Sequence, residues 1–311
     1  MISPKISICM ATYNGEKYLK EQLDSIFAQT NSDWKLLIRD DGSVDNSLGI
    51  IEEYTIKYPN RIVLVTDEDG RIGPCMSFAR LLDRANTEYI MFCDQDDVWL
   101  PDKIEVSTSC IRNLEKQHGY TTPLLVHTDL TVVNSTLQLL AESFWSYQKV
   151  KPKFSTLNRT MVQNVVTGNT VIMNRSLADL ATPIPDTAIM HDWWVTLVAS
   201  AFGKISTHDK ATVLYRQHEK NRLGAQRFGI EYITSCLMTI TEIKKVVLRA
   251  QAQAASFLEQ YQNRLSAEDS EMVRAFVMLM EYGPVRRRYL MLKYHLFKNN
   301  FLKNVGLFWV I

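Results

Sequence analysis

The chain has 311 residues, a formal net charge of +1 and hydrophobic residues at 46% of its positions. The near-neutral charge excludes nucleic-acid binding through bulk positive charge, and the length allows one large domain with a helical appendage. The five cysteines show no paired metal-binding spacing, which predicts free thiols in a reducing, cytoplasmic compartment. The sequence shows neither a signal-peptide pattern nor an apolar run of about 18 residues, so we expect a soluble or surface-attached protein.

Strand-like and helix-like segments alternate through the first part of the chain. Strands are predicted at 5–11, 34–39, 62–65 and 89–93, and helices at 17–29, 46–58, 74–85 and 101–117. This alternation is typical of βαβ units in a mainly parallel sheet, whose ligands bind at the carboxyl ends of the strands.

The pattern is mixed between residues 124 and 216 and helical beyond Gly229. Strands are predicted at 124–128, 165–173 and 211–215, with a helix that starts near His191. The change in pattern predicts two domains, 1–225 and 226–311.

Two carboxylates, Asp94 and Asp96, come directly after the strand at 89–93. Carboxylate oxygens suit a hard divalent cation such as Mg²⁺ or Mn²⁺, which can bridge to a diphosphate. Without a cation, the acidic side chains of residues 94–97 would repel one another. The alternative is a cluster of acids at the start of the next helix, where negative charge is favoured.

Three further polar loops follow strand ends, at 11–16, 40–43 and 70–74. Taken singly, the first two are explained as turns or helix caps, because Asn-Gly and Asp-Gly are common turn pairs. The third supplies glycines and Arg71 before a helix, which suits a diphosphate but lacks P-loop and GxGxxG spacing. Four such loops at four successive strand ends are far more specific than any one alone.

In this order, the loops resemble those of the family 2 glycosyltransferases of the GT-A fold. The resemblance rests on ISICMATYNGEKYLKEQLDSI, LLIRDDGSVDNS and EYIMFCDQDDVWLPDKI, and it extends over residues 5–222. It implies an α/β GT-A fold, a mainly parallel sheet flanked by helices, with a C-terminal helical extension. It also implies an enzyme that uses a nucleoside-diphosphate sugar and Mn²⁺ or Mg²⁺.

The resemblance assigns roles to residues of the first half. Asp41 would accept a hydrogen bond from the pyrimidine N–H, and Arg71 would lie near the ribose and diphosphate. Gln95 holds a position where a small or acidic residue is commoner, and it would contact the sugar. The loop that receives the base would contain Thr12, Tyr13 and Glu16, and the DxD-type metal ligands would be Asp94 and Asp96.

Further along, the segment Met190–Trp194 resembles the place where the family keeps its catalytic base, often an acidic pair. His191 stands in place of the first acid, so Asp192 alone would take the proton from the acceptor hydroxyl in an inverting transfer. The alternative for Asp192 is a plain helix N-cap. Polar residues at 163–164 and 167–169 would shape the acceptor side.

A last segment, Tyr215–Gly224, resembles the YRxHxxNxxG segment of rhamnosyltransferase-like members of the family. By this resemblance His218 would be a third metal ligand, and Arg216 or Arg222 would hold phosphate. Ordinary solvated side chains are the alternative for all three.

Within the family, the sequence is most similar to bacterial polysaccharide α-1,3-rhamnosyltransferases. The implied donor is dTDP-β-L-rhamnose and the implied acceptor a glycan carried on polyprenyl diphosphate. Transfer from a UDP-sugar of GlcNAc, galactose or glucose is the main alternative. A nucleotidyltransferase would need a glycine-rich basic loop near the first strand, which residues 12–17 lack, and a non-catalytic scaffold is disfavoured by Asp192.

The tail from residue 285 to 311 contains six Lys and Arg residues and no Asp or Glu, interleaved with aromatic residues. This pattern predicts a helix lying on an anionic lipid surface, and hence a protein peripheral to the inner face of the plasma membrane. The alternative is a helix packed on the domain or on a second subunit of a homo-oligomer.

Overall fold

The computed structural model describes residues 5–219, 240–299, 304, 306–308 and 311, and the side chains of 240–242 are not part of that description. The described strands are β1 (Ile6–Thr12), β2 (Trp34–Asp40), β3 (Ile62–Leu64), β4 (Tyr89–Cys93), β5 (Val98–Trp99), β6 (Leu124–Val133), β7 (Leu139–Ala141), β8 (Val171–Asn174) and β9 (Lys204–Arg216).

Eleven α-helices lie in the described residues. They are α1 (Glu16–Phe27), α2 (Ser47–Lys57), α3 (Gly73–Arg84), α4 (Lys103–His118), α5 (Phe144–Gln148), α6 (Leu157–Val162), α7 (Arg175–Ala181), α8 (His191–Phe202), α9 (Ile240–Tyr261), α10 (Ala267–Val277) and α11 (Pro284–Lys293). Short 3₁₀ turns occupy Gly168–Thr170 and Leu279–Glu281. None of the helices in these described segments is long and apolar enough to cross a bilayer.

The strands form one sheet in the order β3-β2-β1-β4-β8-β6-β9-β5, with β7 paired to β6. Strands β1 to β4 are parallel; β8 is antiparallel to both β4 and β6, and β9 is parallel to β6. Six of the nine strands, β1 to β4, β6 and β9, therefore run in the same direction. The predicted α/β fold, with a mainly parallel sheet and C-terminal helices, is confirmed.

Alternate side chains of the central strands enter two separate cores because successive residues of a strand point to opposite faces. In β1, Ile6, Ile8 and Met10 join the core beneath α1, α2 and α4, and Cys9 joins the core on the other face. Every residue of β4 is buried. A strand buried on both faces reads as a continuous apolar run, as the sequence YIMFC does here.

The C-terminal helices extend the core of the second face. Phe257 of α9 packs edge-on against Trp194 of α8, with ring centroids 6.0 Å apart. Gln253 accepts a hydrogen bond from the main-chain N–H of Ile189 at 2.9 Å, and the Tyr261 hydroxyl donates to the Leu180 carbonyl at 2.7 Å. Helix α9 is thus anchored against α7, α8 and the segment before α8. The predicted boundary at 225/226 lies outside the described residues and stays a prediction.

The strand predicted at 165–173 is wrong over most of its length, since only Val171–Asn174 is extended in the sheet. Local hydrogen bonds explain the difference, because the Asn164 side chain bonds both main-chain groups of Val166 and Thr170 donates to the Thr167 carbonyl. These bonds hold the backbone in a turn and leave it unavailable to a neighbouring strand. Cys9, Cys93 and Cys110 are free thiols.

Candidate active site

The loop from Asp94 to Asp97 leaves β4 at the carboxyl edge of the sheet and leads into β5. Helix α4 begins only at Lys103, and its N-terminal cap residue is Asp102. Strand β5 separates the acidic loop from the helix, so these acids do not cap α4. Their position at a strand end is the one expected for a ligand-binding loop.

Burial and mutual repulsion dominate the electrostatics of this loop. Burial raises the pKa of Asp94 to about 7, with further contributions from the charges of Asp96 and Asp192. Burial also raises the pKa of Asp97 well above its usual range, helped by the charges of Asp96 and Asp94. A bound cation would offset this repulsion, and the oxygen donors are of the type that Mg²⁺ and Mn²⁺ prefer.

The structure brings His218 to the acidic loop, although 122 positions separate it from Asp96. Its Nε2 lies 2.8 Å from Asp96 Oδ2, and its ring stacks on Tyr18 with centroids 4.9 Å apart. Within the described parts of the chain, no three His, Cys, Asp or Glu side chains already form a metal cage. The carboxylate oxygens of Asp94 and Asp96 nevertheless suit Mn²⁺ or Mg²⁺, and the imidazole nitrogen of His218 adds a ligand that suits Mn²⁺.

Asp97 and Arg216 fix the acidic loop to the end of β9. Asp97 is buried and accepts hydrogen bonds from the main-chain N–H of Arg216 at 3.0 Å and from the side-chain amide of Asn169. The Arg216 guanidinium is also buried; it donates to the carbonyls of Asp96 and Ser135 and pairs with Glu21. Phosphate binding by Arg216 stays a prediction.

The predicted base-binding loop lies beside the acidic loop. The side-chain amide of Gln95 bonds both main-chain groups of Tyr13, and the guanidinium of Arg71 lies 4.1 Å from the centre of the Tyr13 ring. The Thr12 hydroxyl donates to Asp40 at 2.8 Å, and Glu16 accepts from the main-chain N–H of Asn46 at 2.8 Å. The loops after β1, β2 and β4 and the loop before α3 therefore meet at one edge of the sheet.

Asp41 is buried, and protein groups occupy both of its carboxylate oxygens. It accepts hydrogen bonds from the main-chain N–H groups of Ile72 and Gly73 at 2.8 and 2.9 Å, and from the side chains of Arg39 and Ser77. Asp41 thus holds the start of α3, and with it the loop that carries Arg71. Its predicted contact with a pyrimidine stays a prediction, as does the contact of Gln95 with a sugar.

Arg39 is the buried partner of Asp41. Its Nη1 donates to Asp41 and Ser77, its Nε and Nη2 form a two-pronged pair with Asp67, and Nη2 also reaches the Gly70 carbonyl. These five hydrogen bonds use all five N–H donors of the guanidinium. Arg39 therefore fixes the 67–73 loop on the end of β2.

Asp192 lies in the first turn of α8 and faces the 3₁₀ turn before β8. Its Oδ2 accepts a hydrogen bond from the Gly168 N–H at 3.0 Å, and Oδ1 accepts from the Trp193 N–H at 2.6 Å. Burial raises its pKa to about 6, although these N–H donors act in the opposite direction. A carboxylate with this pKa can gain or lose a proton near neutral pH, and its negative charge contributes to the raised pKa of Asp94.

His191 lies in the core. Its ring stacks on Phe78 with centroids 3.8 Å apart and meets the edge of Phe92 at 4.5 Å. Burial lowers its pKa to about 3, so the imidazole is neutral at physiological pH. Of His191 and Asp192, only Asp192 carries a carboxylate that could act as a base.

Comparison with known proteins decides the family. Residues 7–172, more than half of the chain, match the model of glycosyl transferase family 2. The chain belongs to this family. It is 31% identical over 220 residues to the dTDP-rhamnosyl transferase RfbG of Shigella flexneri, covering 70% of this chain and 74% of that protein.

Solved structures agree with the family 2 glycosyltransferase fold. The crystal structure of residues 1–349 of TarS from S. aureus in complex with UDP matches with a TM-score of 0.56 at 18% identity, covering 90% of this chain and 73% of that chain. The mannosyltransferase PcManGT of Pyrobaculum calidifontis, in complex with GDP-Man and Mn²⁺, matches with a TM-score of 0.51 at 14% identity, covering 97% and 87%. At these identities the likeness shows the GT-A fold alone.

In this family 2 glycosyltransferase, three side chains at the site had no role predicted from the sequence: the buried Arg39 and Asp97, and Glu21, which is 57% exposed. Asp97 belongs to the same acidic segment, but the local sequence does not show which of its carboxylates points into the protein interior and which towards the site. A charged Arg39 inside the apolar strand WKLLIRD was the available signal, because a buried charge needs a partner. Glu21 lies on the polar side of an amphipathic helix and shows no such signal. Arg222, a predicted phosphate ligand, lies outside the described residues.

Proposed function

We propose that the chain transfers L-rhamnose from dTDP-β-L-rhamnose, with inversion, to a lipid-linked precursor of a cell-surface polysaccharide. The transfer chemistry is supported by one arrangement above all: Asn169 donates to Asp97 of the acidic loop, and the adjacent Gly168 donates to Asp192, so the carboxylate of Asp192 lies beside that loop. A proton acceptor and a candidate cation site therefore share one edge of the sheet. The choice of donor rests on the similarity to the Shigella flexneri dTDP-rhamnosyl transferase.

The nucleotide is proposed to lie across the loops after β1 and β2. The aromatic face of Tyr13 and the guanidinium of Arg71 offer a flat surface and a positive charge to a base and a diphosphate. Arg39 and Asp41 keep the Arg71 loop in place. A thymine and a uracil present the same N–H and carbonyl groups to such a surface, so a UDP-sugar remains the alternative donor.

The cation is proposed to be Mn²⁺ or Mg²⁺, held by Asp94, Asp96 and His218. When bound, it would offset the negative charge that develops on the departing nucleoside diphosphate. His218 is already directed at Asp96, and its stacking on Tyr18 restricts the orientation of the imidazole. Asp97 keeps the loop attached to β9, so that His218 and the carboxylates stay together.

Asp192 is proposed as the general base. The acceptor hydroxyl oxygen forms a bond to the anomeric carbon on the face opposite the diphosphate, while the bond from that carbon to the diphosphate oxygen breaks. The hydroxyl proton passes to Asp192, and the electron pair of the broken bond leaves with the nucleoside diphosphate. The N–H groups of Gly168 and Trp193 orient the carboxylate for this step.

The exposed face of α11 supports a location at a lipid surface. Val285, Tyr289 and Leu292 are 83%, 60% and 56% exposed, and their spacing of four and three residues places them on one side of the helix. Arg286 and Lys293 flank this row and are exposed as well. An apolar row bordered by cations fits the interface of an anionic membrane, where a lipid-linked acceptor would be found.

Donor turnover with purified protein tests the proposal. The panel comprises dTDP-, UDP- and GDP-sugars with Mn²⁺, with and without a chelator, and a rhamnosylated lipid mimic as acceptor. We expect turnover of dTDP-rhamnose that stops on chelation and returns when Mn²⁺ is added back. The anomeric configuration of the product, read by NMR, reports inversion.

Other outcomes would change the proposal in defined ways. Turnover of a UDP-sugar alone would keep the transferase and replace the rhamnose donor. Turnover that survives complete chelation would overturn the metal requirement. Release of pyrophosphate from a nucleoside triphosphate, with no sugar transfer, would indicate a nucleotidyltransferase.

A further inference from the structure

Gln95 joins the acidic loop of residues 94–97, called the metal loop below, to the polar loop of residues 11–16, called the nucleotide loop, through the main chain of Tyr13. The Tyr13 N–H donates to Gln95 Oε1 at 2.8 Å, and Gln95 Nε2 donates to the Tyr13 carbonyl at 3.0 Å. These reciprocal bonds link residues 82 positions apart. The two carboxylates on either side of Gln95 are the proposed metal ligands, so any shift of that loop acts directly on the backbone of Tyr13.

The space around Gly15 is fitted to the same side chain. A Cβ built on Gly15 would lie 2.4 Å from Gln95 Oε1 and 2.7 Å from Cδ, well inside van der Waals contact. The backbone of Gly15, at φ −102° and ψ 4°, is allowed for any residue. A side chain at position 15 would therefore collide with Gln95, although the φ of the backbone is negative.

The opposite side of Tyr13 is held by other segments. The guanidinium of Arg71 lies over the Tyr13 ring. The main-chain N–H of Asn14 donates to the Ser43 hydroxyl at 2.8 Å, and the main-chain N–H of Gly15 donates to the Ser47 hydroxyl at 2.8 Å. These contacts connect the nucleotide loop to the segments after β2 and before α3. Within the described residues, the side-chain hydrogen bonds of Gln95 connect the nucleotide loop to the metal loop.

We propose that Gln95 is a positioning residue that couples cation binding to nucleoside binding. A cation that fixes the 94–96 loop would also fix the Tyr13 backbone through Gln95, so the nucleoside would meet a loop that is already ordered. The same coupling acts in reverse, because linkage between two binding sites is reciprocal. The inference rests on the proposed function, since it takes residues 94 and 96 as metal ligands and the Tyr13 loop as the nucleotide site.

The coupling is measured with thymidine, which has no phosphate and cannot touch the cation through a diphosphate. Its affinity for the full chain is titrated by NMR with and without saturating Mg²⁺, and the affinity for Mg²⁺ is titrated separately. We expect Mg²⁺ to strengthen thymidine binding by roughly fivefold or more in the wild type, in the range typical of coupled sites. In Gln95→Ala this factor should fall to about one while Mg²⁺ still binds.

A double-mutant cycle tests the contact itself. Gly15→Ala alone should weaken thymidine binding, because its methyl group would overlap the Gln95 amide. In the double variant Gly15→Ala/Gln95→Ala the methyl group has room, so binding should be no weaker than in Gln95→Ala. Thermal melts of all three variants show whether each is folded.

Three results would overturn the inference. The first is a wild type whose thymidine affinity is independent of Mg²⁺. The second is a Gln95→Ala variant that keeps the full coupling factor. The third is a Gly15→Ala substitution that weakens thymidine binding equally with Gln or with Ala at position 95. In each of them the wild type still binds thymidine and Mg²⁺, so the proposed function stands. Failure of the wild type to bind either one would instead remove the proposed function.

Discussion

The carboxylate of Asp97 accepts a hydrogen bond from the main-chain N–H of Arg216 at 3.0 Å, across 119 positions of sequence. The same carboxylate binds the amide of Asn169, whose neighbour Gly168 donates to the proposed base Asp192. One buried side chain therefore touches the end of β9 and the turn before β8. Hydrogen bonds within the protein therefore fix the proposed metal loop relative to the proposed base, without any contact to substrate.

Replacement of Asp192 by Asn should abolish the proton acceptor while preserving the nucleotide site. We expect kcat to fall by about 10²–10⁴-fold, the usual contribution of a general base, with little change in donor affinity. Steady-state kinetics and nucleotide titration measure the two effects. Asp186→Asn is the matched control, since Asp186 is exposed six residues upstream. Equal activity losses in both variants would contradict the assignment.

The pH dependence of kcat should report the ionisation of Asp192. Its pKa is raised by burial to about 6, and only the deprotonated form can accept a proton. Activity should therefore be low in acid, rise through about pH 6 and level off above it, with kcat measured at saturating donor. A profile that stays flat down to about pH 4, where an ordinary aspartate titrates, would exclude a base with a raised pKa.

Arg39 should be among the residues on which stability depends most. Its side chain is 2% exposed, and its removal would leave Asp41 and Asp67 without their main cationic partner. We expect Arg39→Met to lower the free energy of unfolding by about 3–5 kcal/mol, as for other broken buried ion pairs. Urea unfolding measures the loss.

Arg80→Met is the control for this effect, because Arg80 pairs with Asp69 at the surface, where the side chains are 42% and 37% exposed. Its cost should be below about 1 kcal/mol. Similar losses in the two variants would show that the Arg39 network contributes no more than a surface pair.

The exposed row on α11 should govern binding to anionic vesicles. Replacing Tyr289 and Leu292 by Ser removes apolar area from the predicted contact, and we expect binding to fall by roughly tenfold or more. Co-sedimentation with vesicles containing phosphatidylglycerol measures it, and binding should also weaken with added salt. Ile56→Ser is the control, since Ile56 is 82% exposed on α2. Absence of the wild-type protein from the vesicle pellet would refute the membrane prediction.

Local patterns predicted the elements that carry the site. The strands β1, β2 and β4 and the helices that follow them lie within a few residues of their predicted bounds. Apolar periodicity is a local property, and each strand ended in turn residues that marked its boundary. The 165–173 segment was wrong because Asn164 and Thr170 bond their own backbone, which apolar composition does not reveal.

The sequence by itself therefore determined the order of strands and helices and the polar loops at the strand ends, since both follow from the periods of local structure. The tertiary structure decided which side chains meet. The imidazole of His218 contacts Asp96, and the Gln95 amide bonds the main chain of Tyr13, because parallel strands bring distant loops to one edge of the sheet. It also decided that His191 packs on Phe78 while Asp192, the next residue, faces the site, since adjacent residues of a helix point about 100° apart.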